Sequence, residues 1–179
     1  LAGAANPAGR LPVTFYKGVA DLPPFDDYNM QGRTYRFYKG EPVYGFGYGL
    51  SYSSFRYEAP KLELQEGRDE TRLVVRTAIT NTSSRDGDEV AQLYLTPPSF
   101  EGAPRLALRA FERLHLKAGE RREVSFTLNS RDLSFVARDG VRQLMPGSYR
   151  LSVGGGQPGS GLPTEAASFS LTRKQVLPR

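Results

Sequence analysis

Thirteen of the twenty Phe and Tyr residues in this 179-residue chain fall between Phe15 and Tyr57, in a stretch broken by Gly and Pro that shows no sustained helical or strand periodicity. Rings in a segment that cannot build its own core need a cover, because soluble monomers rarely expose large contiguous apolar patches. The first 57 residues are therefore expected to lie against a larger body. Only residues 10–16 within them read as a strand, and its sheet neighbours are expected before Leu1.

From Pro60 onward the pattern becomes short alternating runs bounded by turn residues, which is the pattern of β-strands. Leu73, Val75, Thr77 and Ile79 share one face, as do Ala91, Leu93 and Leu95, then Val124, Phe126 and Leu128, then Tyr149, Leu151 and Val153, then Ala167, Phe169 and Leu171. Turns fall at Ser84-Arg-Asp-Gly87, Ala118-Gly119, Arg138-Asp-Gly140 and Pro146-Gly147, where the residue chemistry favours them. Roughly seven such strands fit an immunoglobulin-like sandwich. With neither Cys nor Trp, the antibody-type core is excluded and the fibronectin type III style is favoured. The fold class expected is all-β: a sandwich preceded by an extended, aromatic-rich connector.

Composition removes several chemistries. Without Cys there are no disulfides, thiolate metal sites or Cys nucleophiles, and one His cannot make a multi-histidine metal centre. His115 alternates with Leu114 and Leu116, which puts it on the polar face of a strand, and no G-x-S-x-G elbow accompanies it. The net charge of +5 comes from basic and acidic residues interspersed along the chain, so no nucleic-acid surface is expected. No uncharged apolar run is long enough to span a bilayer as a helix, and a membrane partner is not expected. The start, Leu1-Ala-Gly-Ala-Ala-Asn-Pro7, lacks the basic and apolar regions of a signal peptide.

The Gly-rich run 154–161 is not followed by a helical pattern and reads as an inter-strand loop, so no phosphate-binding cofactor is implied. Asp86, Asp88 and Glu89 cluster in a turn too short for a calcium ladder and are expected to be solvated. Asn81-Thr82-Ser83 matches a glycosylation pattern but reads as a strand-ending turn.

The segment richest in binding chemistry is Asp26-Asp-Tyr-Asn-Met-Gln-Gly-Arg-Thr-Tyr-Arg36. Its candidates are Asp27, Tyr28, Arg33 and Tyr35: carboxylate and guanidinium groups to hydrogen-bond hydroxyls, and rings to stack on a sugar. The same residues suit a domain interface. Asp26 and Asp27 are adjacent and point apart in an extended chain, so they do not form the spaced carboxylate pair of a glycosidase.

Four stretches together carry a family likeness: Asn6-Pro-Ala-Gly-Arg-Leu-Pro-Val-Thr-Phe-Tyr16, Leu22-Pro-Pro-Phe-Asp-Asp-Tyr28, Gly32-Arg-Thr-Tyr-Arg-Phe37 and Tyr44-Gly-Phe-Gly-Tyr-Gly-Leu-Ser-Tyr52. They resemble the C-terminal region of glycoside hydrolase family 3, in the style of bacterial β-xylosidases and β-glucosidases. Asn81-Thr82, Gly87-Asp-Glu-Val-Ala-Gln-Leu-Tyr94, Ala118-Gly-Glu120, Asp132-Leu-Ser-Phe135 and Pro146-Gly147 resemble that family's fibronectin type III-like domain. Arg109-Ala110-Phe111 departs from the family's usual Lys-Gly-Phe.

The resemblance implies that residues 1–16 are the last strand of an α/β sandwich domain, 17–59 a connector and 60–179 the terminal domain. It implies a parent that is a retaining exo-β-glycosidase, with an Asp nucleophile and a Glu acid/base on upstream domains. None of those motif positions lies in this chain, which alone is expected to be inactive and to need no cofactor or metal. The expected role is to brace the catalytic domains, which are its expected partner. Alternatives are a module that binds carbohydrate or a cell surface, and a stand-alone interaction domain. A periplasmic or secreted setting follows from the resemblance, with a cytoplasmic one left open.

Overall fold

The structure, a computed structural model, describes residues 3–178; Leu1, Ala2 and Arg179, at the ends of the expected first and last segments, lie outside the described residues. Among the described residues eleven strands follow one another: β1 (Phe55–Tyr57), β2 (Lys61–Glu66), β3 (Thr71–Asn81), β4 (Gly87–Thr96), β5 (Ala107–Leu116), β6 (Arg121–Leu128), β7 (Phe135–Val136), β8 (Arg142–Leu144), β9 (Gly147–Gly154), β10 (Thr164–Leu171) and β11 (Gln175–Val176). A 3-10 turn at Val19–Asp21 and the single-turn helix α1 (Thr34–Phe37) precede them, and a second single turn, α2 (Ser130–Leu133), lies between β6 and β7.

The architecture is the expected all-β sandwich. In one sheet β3 pairs antiparallel with β6 on one side, and with β1 and then β2 on the other. The break between β1 and β2 contains Pro60, which has no N–H to donate to the ladder. The second sheet runs β10-β9-β4-β5, and a small third sheet, β11-β8-β7, closes one end.

All five inward sets read from alternation contribute to one core, with Ala167 of the last set half-buried and outside it. Leu73, Val75, Ile79, Ala91, Leu93, Leu95, Val124, Phe126, Leu128, Leu151 and Val153 are buried there, and Phe169 packs against its edge, stacked 5.2 Å from the Tyr149 ring. His115 is exposed between buried Leu114 and Leu116.

Two expectations about the N-terminal part need correction. Residues 10–16 form no strand: they make a single bridge, Phe15 to Tyr44, and exchange backbone hydrogen bonds with residues 43–48 of the chain itself. The Leu11 N–H donates to the Tyr48 carbonyl at 2.8 Å, and the Gly47 N–H to the Leu11 carbonyl at 2.7 Å. Secondly, the sandwich starts before Pro60, because Phe55 and Tyr57 in β1 are buried members of its core.

Candidate functional site at the connector–sandwich junction

A strand in a two-layer sandwich should bury one face only. β4 buries both between Ala91 and Leu95, with Gln92 and Tyr94 at 3% and 1% exposure, alternating with the core positions. The connector supplies the cover. Gln92 Nε2 donates to the carbonyls of Gly47 (3.1 Å) and Gly155 (2.9 Å), and the Tyr94 hydroxyl donates to Gln92 Oε1 at 2.6 Å. Gly47 has φ +77°, and a Cβ there would collide with Gln92 Oε1 and the Tyr94 hydroxyl, so both backbone shape and space require glycine. Burial pushes the Tyr94 phenol far above its ordinary value.

A buried ion pair ties the chain's start to the same strand. Arg10 Nη2 lies 2.7 Å from Glu89 Oε1, and the Arg10 Nε donates to the Gly155 carbonyl at 3.0 Å. Glu89 therefore departs from the expected solvated turn. It is in phase with Ala91 and Leu93, so its carboxylate needs a partner inside the protein. Burial raises its pKa even though Arg10 opposes the shift. Tyr57, buried beside it, is also raised, first by burial and then by the Glu89 charge.

Asp86 and Asp88 do remain near the surface. Asp86 Oδ1 accepts from the Ala118 N–H, and Asp88 receives Arg113 at 2.5 Å and His115 Nδ1 at 2.7 Å. These partners hold the Asp88 carboxyl below the usual carboxylate range, His115 first and Arg113 next. Asn6 adds a polar clamp, donating to Ser53 Oγ (2.8 Å) and to the Asp86 carbonyl (2.9 Å). Asn81, the expected strand end, is fully buried, with its Nδ2 donating to the Arg85 and Leu116 carbonyls.

The four candidate residues of the 26–36 loop separate into two places. Asp27 Oδ1 accepts the Asn29 N–H at 2.9 Å and the Asn29 Nδ2 at 2.7 Å, and these bonds lower its pKa. Arg33 donates from Nε to the Asn29 carbonyl at 3.1 Å, and from Nη2 to the carbonyls of Pro24 (3.1 Å) and Asp27. The guanidinium thus fastens its own loop. Tyr28 at that tip is 88% exposed, near Phe25 at 95%.

Tyr35 lies instead in the junction. Its ring stacks on Phe46 at 4.1 Å and meets Tyr94 edge-on at 6.2 Å, and its phenol oxygen accepts the Leu108 N–H at 3.0 Å. Between the two places Thr34 adopts φ +54°, rare for a β-branched residue, with its N–H donated to the Tyr16 hydroxyl at 2.6 Å. Among the described residues, no group of three acidic or histidine side chains is placed to hold a metal.

An apolar surface remains beside the junction. Phe15, Tyr44 and Leu50 are 47%, 46% and 67% exposed, and with Leu11 and Tyr48 they line an open cavity of about 560 Å³. Sequence reading missed the Arg10–Glu89 pair. The signal for it was an acidic residue on the core phase of a strand.

The fold is a fibronectin type III-style sandwich whose second sheet is capped by an aromatic connector. The chain belongs to the C-terminal region of glycoside hydrolase family 3. Residues 1–52 match the glycosyl hydrolase family 3 C-terminal domain, and residues 89–157 match the fibronectin type III-like domain. It is 37% identical over 155 residues to a xylan 1,4-beta-xylosidase of Xylanibacter ruminicola, covering 86% of this chain and 18% of that protein. It is 30% identical to a periplasmic beta-glucosidase of Salmonella typhimurium, over 86% of this chain and 22% of that one. Among solved structures, beta-glucosidase 3B of Thermotoga neapolitana in complex with alpha-D-glucose superposes with a TM-score of 0.81 at 30% identity, covering 99% of this chain and 26% of that one. The chain thus spans about a fifth of the length of the curated relatives it matches.

Proposed function

We propose that this chain is the bracing, non-catalytic end of an exo-acting retaining β-glycosidase of the β-xylosidase or β-glucosidase type. The observation that carries the reading is the connector. The N-terminal part, residues 3–16 together with the connector, is fixed to the sandwich on one side by the buried Arg10–Glu89 pair and the Gln92–Gly47 bond. On the other side it leaves Phe15, Tyr44 and Leu50 exposed as one apolar patch suited to a further domain. The names of the relatives support the class of reaction. Catalysis itself belongs to domains outside this stretch, since a retaining mechanism needs two carboxyl groups about 5 Å apart across a glycosidic bond.

The loop 26–36 extends this reading toward substrate. Arg33 holds the loop in shape, and Phe25 and Tyr28 stand exposed at its tip, available to stack on a sugar at the mouth of an active site.

The test is a graft. The matching end of the Xylanibacter ruminicola xylosidase is replaced by this chain, and hydrolysis of aryl β-xylosides and β-glucosides is compared with that of the same enzyme lacking its end. The graft should hydrolyse one or both, the deletion should lose activity through instability, and the isolated chain should turn over neither. Turnover by the pure isolated chain, or a deletion as active and stable as the parent, overturns the proposal.

A further inference from the structure

Three arginines meet in a second cavity of about 300 Å³, lined by Arg36 from α1, Arg109 from β5, Arg142 from β8, and Ser134 and Phe135. None of the three makes an ion pair among the described residues, where nine other pairs are formed. Three cations around one concavity repel one another unless an anion joins them.

The hydrogen bonds leave the same gap. Arg109 Nη2 donates to the Ser134 carbonyl at 2.8 Å and Arg142 Nη1 to Ser134 Oγ at 3.1 Å, which sets both forks around one residue. The Nε atoms of Arg36 and Arg109 are each buried without an acceptor. Buried donors are nearly always satisfied, so each needs an oxygen that these residues do not supply.

The positions are fixed by the fold. Asn129 caps α2 by accepting from the Arg131 and Asp132 N–H groups, and Asp132 accepts from the Asn129 N–H, which presents Ser134 and Phe135 to the cavity. The Arg109 guanidinium lies over the Phe135 ring at 4.4 Å. Burial first, then the Arg36 and Arg142 charges, push Arg109 down to about 10 against the opposing influence of Tyr35 and of Asp132, which is engaged in the cap.

We propose that this cavity binds a small oxyanion, a phosphate-like or carboxylate group, gripped by the guanidinium forks of Arg36, Arg109 and Arg142. Arginine suits that role because its planar fork matches carboxylate and phosphate oxygens in pairs. The anion joins connector to sandwich, since Arg36 belongs to the first and Arg109 and Arg142 to the second. Two sources supply such oxygens: a free anion, or an acidic side chain of a longer protein containing this chain.

The 179-residue chain is titrated with inorganic phosphate and, separately, with D-glucuronate, by calorimetry and by thermal melting, against chloride at equal ionic strength. At least one of the two should bind saturably and raise Tm where chloride does not. Arg109→Gln and Arg142→Gln should each weaken that binding about tenfold or more, the loss of one charge-assisted contact. Because Arg109 also covers Phe135, Arg142→Gln carries the test if Arg109→Gln does not fold. Repeating the titration on the graft separates the sources: retained binding indicates a free anion, and lost binding a side chain already seated there. Absence of saturable binding by both probes to the isolated chain, or equal binding by Arg142→Gln, overturns the proposal. Neither result bears on whether the chain braces a glycosidase.

Discussion

Arg10 and Glu89, 79 residues apart in sequence, form an ion pair of 2.7 Å whose side chains are 10% and 5% exposed. Removing one partner of such a pair leaves an uncompensated buried charge, at a cost of about 3–5 kcal/mol. Arg10→Ala should therefore lower the stability of the chain by about that amount in urea unfolding, whereas replacing both residues by Met and Leu should restore much of the loss.

The same pair gives a pH dependence of definite sign. Burial places the folded Glu89 above its ordinary 4.5, so the folded state binds the extra proton and stability falls as pH rises from 4.5 through the raised value. Arg10 is what restrains that rise, and Arg10→Ala should steepen it. The stability lost in this variant should be larger at neutral pH than near pH 4.5. An equal loss at both would show that Glu89 is not charged and buried beside Arg10.

Asp88 behaves in the opposite sense. His115 and Arg113 lower its pKa, so its contribution is present above 3.8 and disappears as pH falls through the lowered value. Both partners are more than half exposed, which limits Asp88→Asn to no more than about 1 kcal/mol at neutral pH. His115→Ala should cost less than that. Phe126→Ala, in the core, should cost roughly 3–5 kcal/mol.

The sandwich was legible because most of its main strands obey period-two alternation, and the sets around Leu73, Ala91, Val124 and Tyr149 all converge in the core; β5 alternates only at its end, from Leu114 to Leu116. The connector was legible only as a demand for cover. Alternation assigns Gln92 and Tyr94 to an outer face, and nothing local says that Gly47 will seal it. β1 was hidden for a related reason: three residues, Phe55 to Tyr57, sit inside an aromatic stretch whose composition matches the connector. Long-range pairs such as Arg10 with Glu89 leave only an indirect trace, a charge in an apolar phase. Of the four candidate residues, Tyr35 is drawn into the junction while Asp27, Tyr28 and Arg33 stay at the loop, and the division falls at Thr34, whose φ is +54°.

That division separates two variants. Tyr35→Phe removes the acceptor of the Leu108 N–H and should cost about 1–2 kcal/mol in the isolated chain. Tyr28→Ala, at an exposed tip, should change stability by no more than about 0.5 kcal/mol. In the graft, Tyr28→Ala should raise KM for the aryl glycoside, the signature of a ring that touches substrate. Unchanged KM would reduce the loop to part of the brace.

Bracing is tested most directly by the rate of thermal inactivation of the graft with its junction broken. Glu89→Ala strips the partner from Arg10 without touching the loop at residues 26–36. The account predicts inactivation severalfold faster at elevated temperature, with KM for the aryl glycoside unchanged. An unaltered inactivation rate together with a raised KM would contradict it, and would make this junction a substrate-binding surface instead of a support.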